Sequence, residues 1–137
     1  MSGSASHRAK LLTCLFKSGK WKARIIRWYI MWRVSYDVAE RDAIYAKQMA
    51  GYVPDPEEVF ATRKGTCWDY AALYQTMLQA VGIEANVVMG HCTALNGYHA
   101  WNEVNIAGTW RIVDIARDGK CYFSRMYKDQ KEYKRGD

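Results

Sequence analysis

The most constraining stretch of the chain is a helical pattern followed by two alternating patterns in its middle part. Apolar residues recur at helical spacing after Thr66, which forms a capping pair with Asp69 three positions later. Gly82 supplies a stop signal. We therefore predict a helix over about residues 67–81, with Cys67 in its first turn.

Two strands are predicted after this helix, over residues 83–90 and 98–106, because apolar and polar residues alternate there. Ala107-Gly108 is typical of a two-residue hairpin turn. In that register Asp114 lies one diagonal step from His99 on the same face of the sheet. A turn one residue longer would move Asp114 to the opposite face, so the prediction depends on the loop length.

Cys67, His99 and Asp114 together suggest thiol chemistry. The unpaired N–H groups and the dipole at a helix start stabilise a thiolate, which is the nucleophilic form of cysteine. A carboxylate beside a histidine orients the imidazole and stabilises its charged form during proton transfer. Each residue also has a structural interpretation, as a small buried thiol, a half-buried strand histidine and a strand-end aspartate. The combination in this order favours catalysis over those separate interpretations.

Several segments of the sequence resemble the core of the transglutaminase-like superfamily. They are Gly65-Thr66-Cys67-Trp68-Asp69-Tyr70-Ala71, Gly82-Ile83-Glu84-Ala85, Gly90, Tyr98-His99-Ala100-Trp101-Asn102-Glu103-Val104 and Trp110-Arg111-Ile112-Val113-Asp114. Residues 34–37 and 56–60 resemble the segments that precede the nucleophile in small microbial members. The resemblance spans about residues 21–118. Residues 115–118 depart from it, since many relatives have proline and aromatic residues there.

The resemblance implies a papain-like α+β fold, with N-terminal helices and a nucleophile-bearing helix packed on a small antiparallel sheet. It also implies that Cys67 attacks an amide carbonyl, His99 shuttles the proton and Asp114 holds His99. The acyl-enzyme is then resolved by water, as in a protease or amidase, or by an amine, as in a cross-linking transglutaminase. A non-catalytic module that holds a peptide or partner protein in an aromatic cleft is the alternative from another class.

Four aromatic residues are further candidates for the cleft. In such families a side chain upstream of the nucleophile helps its backbone N–H to bind the oxyanion, and Tyr36 is the candidate here, with Trp32 behind it. Trp68 and Trp101 flank two of the proposed catalytic residues and are candidate cleft walls. An aromatic residue at helical spacing is often core, so Tyr36 and Trp32 have that interpretation too.

No metal or other cofactor is predicted. Nothing in the sequence resembles the acidic calcium sites of the large animal transglutaminases. His91, Cys92, His99 and Cys121 could be drawn as a zinc set, but the short Cys-x-x-Cys spacing typical of such sites is missing. Four cysteines are too few for a disulfide scaffold, although a bond between two of Cys14, Cys92 and Cys121 stays open.

All of the net positive charge lies in the N-terminal quarter. Eight basic residues and no acidic residue occur up to Tyr36, whereas the other 12 basic and 14 acidic residues nearly cancel. Two helices are predicted there, over residues 7–17 and 21–35 with Gly19 between them. An apolar face made of Ile25, Trp28, Tyr29 and Trp32 is predicted on the second. These basic helices can associate with an anionic surface, or their apolar face is core and their charges are solvated. No specific nucleic-acid partner is predicted.

The length of 137 residues fits one transglutaminase-like domain. Residues 1–6 are predicted to be a disordered leader or a vector-derived remnant, and residues 122–137 a peripheral tail, as a solvated helix or frayed end. A helix over residues 37–50 and a short helix that begins at Pro56 complete the prediction. The chain shows neither a membrane-spanning run nor the apolar segment of a signal peptide. Its compartment stays open between bacterial-type cytoplasm and export with the signal removed.

Overall fold

The computed structural model describes residues 3–38, 53–93 and 98–136, and these form the α+β fold that the sequence predicts. The helices are α1 (Ser4–Thr13), α2 (Gly19–Arg33), α3 (Pro56–Thr62), α4 (Cys67–Ala80) and α5 (Ile115–Asp118). The strands are β1 (Ser35–Tyr36), β2 (Lys64–Gly65), β3 (Ala85–Cys92), β4 (Tyr98–Ile106), β5 (Thr109–Val113), β6 (Tyr127–Lys128) and β7 (Tyr133–Arg135). A short 3₁₀ helix covers Gln130–Glu132.

Helix α4 begins and ends at the predicted signals. The Thr66 side chain accepts a bond from the backbone of Asp69, and the Asp69 carboxylate accepts one from the backbone N–H of Thr66 at 2.8 Å. Gly82 follows the helix with φ of +83°, a conformation that favours glycine. Since the caps fix where the first turn begins, they also fix the position of Cys67.

The larger sheet has five antiparallel strands in the order β6-β5-β4-β3-β7. Ala107 and Gly108 both have positive φ, at +53° and +88°, which is the geometry of a two-residue hairpin turn. Ile106 therefore pairs with Thr109, as predicted. The smaller sheet pairs β1 with β2 in parallel, so that Tyr36 lies beside Gly65.

The main core lies between α4 and the other layers. One side of α4 packs on β3 and β4, while α1, α2 and α3 cover it elsewhere. Asn102 of β4 donates from Nδ2 to the Ala71 carbonyl at 2.9 Å, which ties the strand to the helix. A second, smaller cluster contains Val88, Trp101 and Ile112, with Tyr133 packed against it.

The N-terminal residues differ from the prediction. Ser4 to Ser6 form the first turn of α1, so this stretch is not a disordered leader. The backbone N–H of Ser4 donates to Glu57 Oε1 at 2.7 Å, and Ala5 is fully buried. Met1 and Ser2 lie outside the described residues.

The predicted apolar face of α2 is also wrong. Its buried residues are Ala23, Ile26, Arg27, Ile30 and Met31, whereas Trp28 and Trp32 are exposed. The sequence pattern misses this face because it includes an arginine, whose buried charge is paired with Asp118 at 2.9 Å. The tryptophans instead lie beside basic side chains at the surface, where Arg24 faces Trp28 and Arg63 faces Trp32.

The C-terminal segment is part of the sheet and not a peripheral tail. It contributes β6 and β7 at the two edges, with β7 paired to β3. Pro56 begins α3 as predicted, with Asp55 as its N-cap. The predicted helix over residues 37–50 falls largely on residues 39–52, outside the described residues. None of the described helices has the length and apolar content to cross a membrane.

Candidate active site

His99 and Asp114 form a buried pair at the open end of the β4–β5 hairpin. The register of β4 and β5 places Asp114 directly after the last paired residue of β5, so its side chain reaches back toward His99. His99 Nε2 lies 2.8 Å from Asp114 Oδ2, and both side chains are almost fully buried. A carboxylate in this position fixes the orientation and protonation of the ring.

Cys67 is the third member of the site. It is the first residue of α4 and is half-buried. Burial lowers the pKa of His99, but hydrogen bonding to Asp114 and Cys67 and the charges of these two groups outweigh it and raise that pKa to about 10. Because Nε2 is bonded to Asp114, Nδ1 is the ring nitrogen that remains for the thiol. The three predicted residues are thus brought together.

Asp114 has further partners that hold it in place. As the N-cap of α5, it accepts a bond at Oδ1 from the backbone N–H of Arg117 at 3.2 Å. The hydroxyl of Tyr133 donates to Oδ2 at 2.9 Å. The carboxylate is therefore hydrogen-bonded through both of its oxygens.

Tyr36 and Trp32 have different surroundings. Tyr36 is half-buried on β1, beside β2 and the start of α4, and its ring stacks on Tyr70 with centroids 6.3 Å apart. Trp32 is 60% exposed on α2, with ring contacts to Tyr29 and Arg63. The structure thus brings Tyr36 near the first turn of α4, but it does not tie Trp32 to the Cys-His-Asp set.

The two other candidate tryptophans differ from each other in burial. Trp68 is half-buried in the first turn of α4, next to Cys67. Trp101 is almost completely buried, with its ring 4.9 Å from that of Tyr133 and 6.4 Å from that of His99. Trp101 is therefore not an open cleft wall but a core residue that supports His99.

The remaining cysteines take no part in a disulfide, since all four are free thiols. Cys14 and Cys121 are exposed, and Cys92 is buried. Among the described residues, no group of three or more His, Cys, Asp and Glu side chains is arranged to hold a metal ion. The alternative zinc set of His91, Cys92, His99 and Cys121 is therefore not assembled in that part of the chain.

Comparison with known proteins decides the family. The model of the transglutaminase-like superfamily matches residues 17–115, which include all three residues of the site. This chain belongs to the transglutaminase-like superfamily. Human kyphoscoliosis peptidase is 29% identical to this transglutaminase-like chain over 104 residues, and the match covers 68% of the chain. The chain spans only 15% of the length of that curated relative.

Solved structures show the same fold as this transglutaminase-like domain. A candidate cysteine protease from Cytophaga hutchinsonii has a TM-score of 0.67 at 24% identity, over 82% of this chain and 36% of that one. A crystal structure of a TGase has a TM-score of 0.60 at 20% identity, over 92% of this chain and 32% of that one. At these identities the likeness concerns the fold alone.

Tyr133 and Arg117 are site residues that the sequence analysis misses. Tyr133 lies in a strand of only three residues, too short for an alternating pattern to be recognised, and beyond the stretch that resembles the family. Arg117 lies where the sequence departs from its relatives. The available signal was the aromatic residue within Glu132-Tyr133-Lys134-Arg135, an otherwise charged stretch.

Proposed function

We propose that this chain is a cysteine-dependent acyl-transfer enzyme that acts on peptide amide bonds, most simply a protease or amidase. The observation that carries the proposal is the buried 2.8 Å bond between His99 Nε2 and Asp114 Oδ2, with Cys67 also in hydrogen-bonding reach of the imidazole. A buried carboxylate, a buried imidazole and a half-buried thiol that contact one another are the groups that covalent acyl transfer requires.

In the proposed reaction, Cys67 loses its proton to His99 and its sulfur attacks the amide carbonyl. The C–N bond then breaks, the leaving amine takes the proton from His99, and a thioester to Cys67 remains. Water, deprotonated by His99, hydrolyses the thioester and restores the thiol. A primary amine that enters instead of water gives transglutamination by the same steps.

The developing oxyanion needs donors near Cys67. The backbone N–H of Cys67 is one of the first N–H groups of α4 and has no partner within the helix. We assign the second donor to the Tyr36 hydroxyl, because β1 holds Tyr36 beside the residues that lead into α4.

A peptide library tests the proposal and separates its two reactions. The chain is incubated with proteome-derived peptides in the presence of dansylcadaverine, and the products are identified by mass spectrometry. New peptide termini indicate hydrolysis, and dansylcadaverine attached to glutamine indicates transglutamination. The absence of both, with peptides retained on the chain, would contradict the proposal and favour a binding module.

Cys67→Ala is the matching variant. We expect it to abolish both products, because the thioester forms on the Cys67 sulfur, and to leave the melting temperature almost unchanged. Cys121→Ser is the control, since it removes an exposed thiol outside the site. Products that survive in Cys67→Ala would assign the chemistry to another residue.

A further inference from the structure

Tyr133 connects the C-terminal strand to the proposed catalytic residues. Its backbone pairs with Cys92 at the edge of the sheet, where β7 lies along β3. Its hydroxyl lies 2.9 Å from Asp114 Oδ2, the same oxygen that is 2.8 Å from His99 Nε2. One carboxylate oxygen therefore accepts from both a phenol and an imidazole.

The direction of the Tyr133 hydrogen bond follows from its other neighbour. Arg117 Nη1 lies 3.0 Å from the Tyr133 hydroxyl oxygen, and a guanidinium can only donate. The oxygen of Tyr133 thus accepts from Arg117, and its own proton goes to Asp114. Burial, followed by the charge of Asp114, raises the pKa of Tyr133, so this proton is retained.

Arg117 and Tyr133 are themselves held in place. Arg117 Nη1 also donates to Glu132 Oε1 at 2.8 Å. The Tyr133 ring packs edge-on against Trp101 with centroids 4.9 Å apart. These contacts leave Tyr133 little freedom to turn away from Asp114.

We propose that Tyr133 is a positioning residue, which fixes the Asp114 carboxylate and limits how strongly that carboxylate attracts the proton on His99. A donor to Oδ2 withdraws negative charge from the oxygen that faces the imidazole. Loss of that donor leaves more of the negative charge on Oδ2 to attract the His99 proton. The inference rests on the proposed function, because it concerns the same three groups.

Tyr133→Phe removes the hydroxyl and keeps the ring on Trp101. The test follows the His99 ring by ¹⁵N NMR while the pH is raised. The charged and titratable groups around this ring, its carboxylate and the Tyr133–Arg117 pair are Cys67, Cys92, Asp114, Arg117, Glu132 and Tyr133. We expect the His99 midpoint to lie higher in Tyr133→Phe than in the wild-type chain.

Tyr127→Phe is the matched control. Tyr127 lies in β6 of the same sheet, and its buried hydroxyl has no hydrogen-bond partner among the described residues. This variant should leave the His99 midpoint unchanged. With a substrate from the peptide library, Tyr133→Phe should lower kcat by roughly tenfold to a hundredfold with little change in KM, as expected for one lost bond to a charged group.

The same NMR titration separates failure of the proposed function from failure of the proposed role of Tyr133. A wild-type midpoint near the ordinary value of about 6.5 would overturn the pairing on which the proposed function rests. A high wild-type midpoint that is the same or lower in Tyr133→Phe would overturn the role of Tyr133 alone. A higher midpoint in Tyr133→Phe, with Tyr127→Phe unchanged, supports both.

Large apolar side chains are exposed in the turn between α1 and α2 and in the adjoining ends of these two helices. Four large apolar side chains are exposed there, and Leu15 is 90% exposed. They are Leu11, Leu15, Phe16 and Trp21, and we call them the hairpin tip. Lys10, Lys17 and Lys20, all exposed, lie among them in the sequence, and no acidic residue occurs before Asp37.

We infer that the hairpin tip binds the surface of an anionic lipid bilayer. Exposed apolar side chains interspersed with exposed lysines along the sequence match a membrane interface, where the former enter the acyl boundary and the latter face anionic headgroups. Nucleic acid would use the charges but would give the aliphatic Leu11 and Leu15 no comparable environment.

Vesicle flotation tests this inference. We expect the chain to float with vesicles of equal parts phosphatidylcholine and phosphatidylserine and not with pure phosphatidylcholine. The double variant Leu15→Ser and Phe16→Ser should lower the bound fraction by at least about tenfold, from the loss of two inserted side chains. Phe123→Ser is the control, because Phe123 is fully exposed elsewhere. Equal binding by the double variant, or equal loss in Phe123→Ser, would overturn the inference.

Discussion

The hydrogen bond between His99 and Asp114 determines which imidazole nitrogen remains for the Cys67 thiol. Since Nε2 is held by Asp114, Nδ1 is left for Cys67. The carboxylate is in turn fixed by the backbone of Arg117 and the hydroxyl of Tyr133. At the scale of single residues, the geometry of the candidate site therefore depends on groups outside the set of Cys67, His99 and Asp114.

Asp114→Asn tests this arrangement. An asparagine keeps one oxygen for the N-cap of α5 but cannot offer a charged acceptor to His99. We expect kcat to fall by up to about 10⁴, the loss seen when such an orienting carboxylate is replaced by an amide. Asp129→Asn, which alters the exposed N-cap of the 3₁₀ helix, should leave kcat unchanged in the same assay. Full activity in Asp114→Asn would contradict the proposed role of Asp114.

At the scale of elements, the approach of β7 to β3 holds Tyr133 in place, and Gly90 permits that approach. A Cβ on Gly90 would collide with the Lys134 carbonyl oxygen, the Gly136 nitrogen and the Trp101 ring. The backbone atoms among these cannot move without displacement of the strand. Glycine at this position therefore connects sheet pairing to the geometry of the site.

Gly90→Ala should lower the free energy of unfolding by about 1–3 kcal/mol, as overpacking in a close contact does. It should also shift the NMR signals of the His99 ring, because β7 carries Tyr133. Gly19→Ala is the control, since a Cβ there meets nothing within 4 Å. Equal stability of the two variants in urea unfolding would show that β7 does not hold this position.

The elements also show what could be predicted from sequence. Helix α4 and the β4–β5 hairpin were predictable because their caps, their turn and their periodicity lie within the segments themselves. Which face of α2 is buried could not be predicted in this way, because Arg27 is buried against Asp118, 91 positions away in the sequence. Strand β7 was missed for a similar reason, since a strand of three residues is defined by its partner β3.

At the scale of the whole molecule, the raised pKa of His99 links stability to pH. The unfolded chain releases the His99 proton near pH 6.5, whereas the folded chain holds it until about pH 10. The stability that this proton contributes is therefore complete below about pH 6.5 and is lost as the pH rises toward about 10.

His99→Gln should remove the part of the pH dependence that His99 contributes. Urea unfolding across that pH range should show a decline in the wild-type chain that is clearly smaller in His99→Gln. His91→Ala, which removes an exposed histidine from β3, should decline like the wild-type chain. Identical pH dependence in the wild-type chain and His99→Gln would mean that His99 holds no extra proton in the folded state.

The most direct test of the site is the rate at which iodoacetamide alkylates each of the four cysteines, resolved by mass spectrometry. Access alone would make the exposed Cys14 and Cys121 react before the half-buried Cys67. At about pH 6, where an ordinary thiol is almost entirely protonated, we predict that Cys67 reacts fastest and that His99→Ala removes this advantage. Alkylation of Cys67 no faster than that of Cys14 and Cys121 would contradict an activated nucleophile.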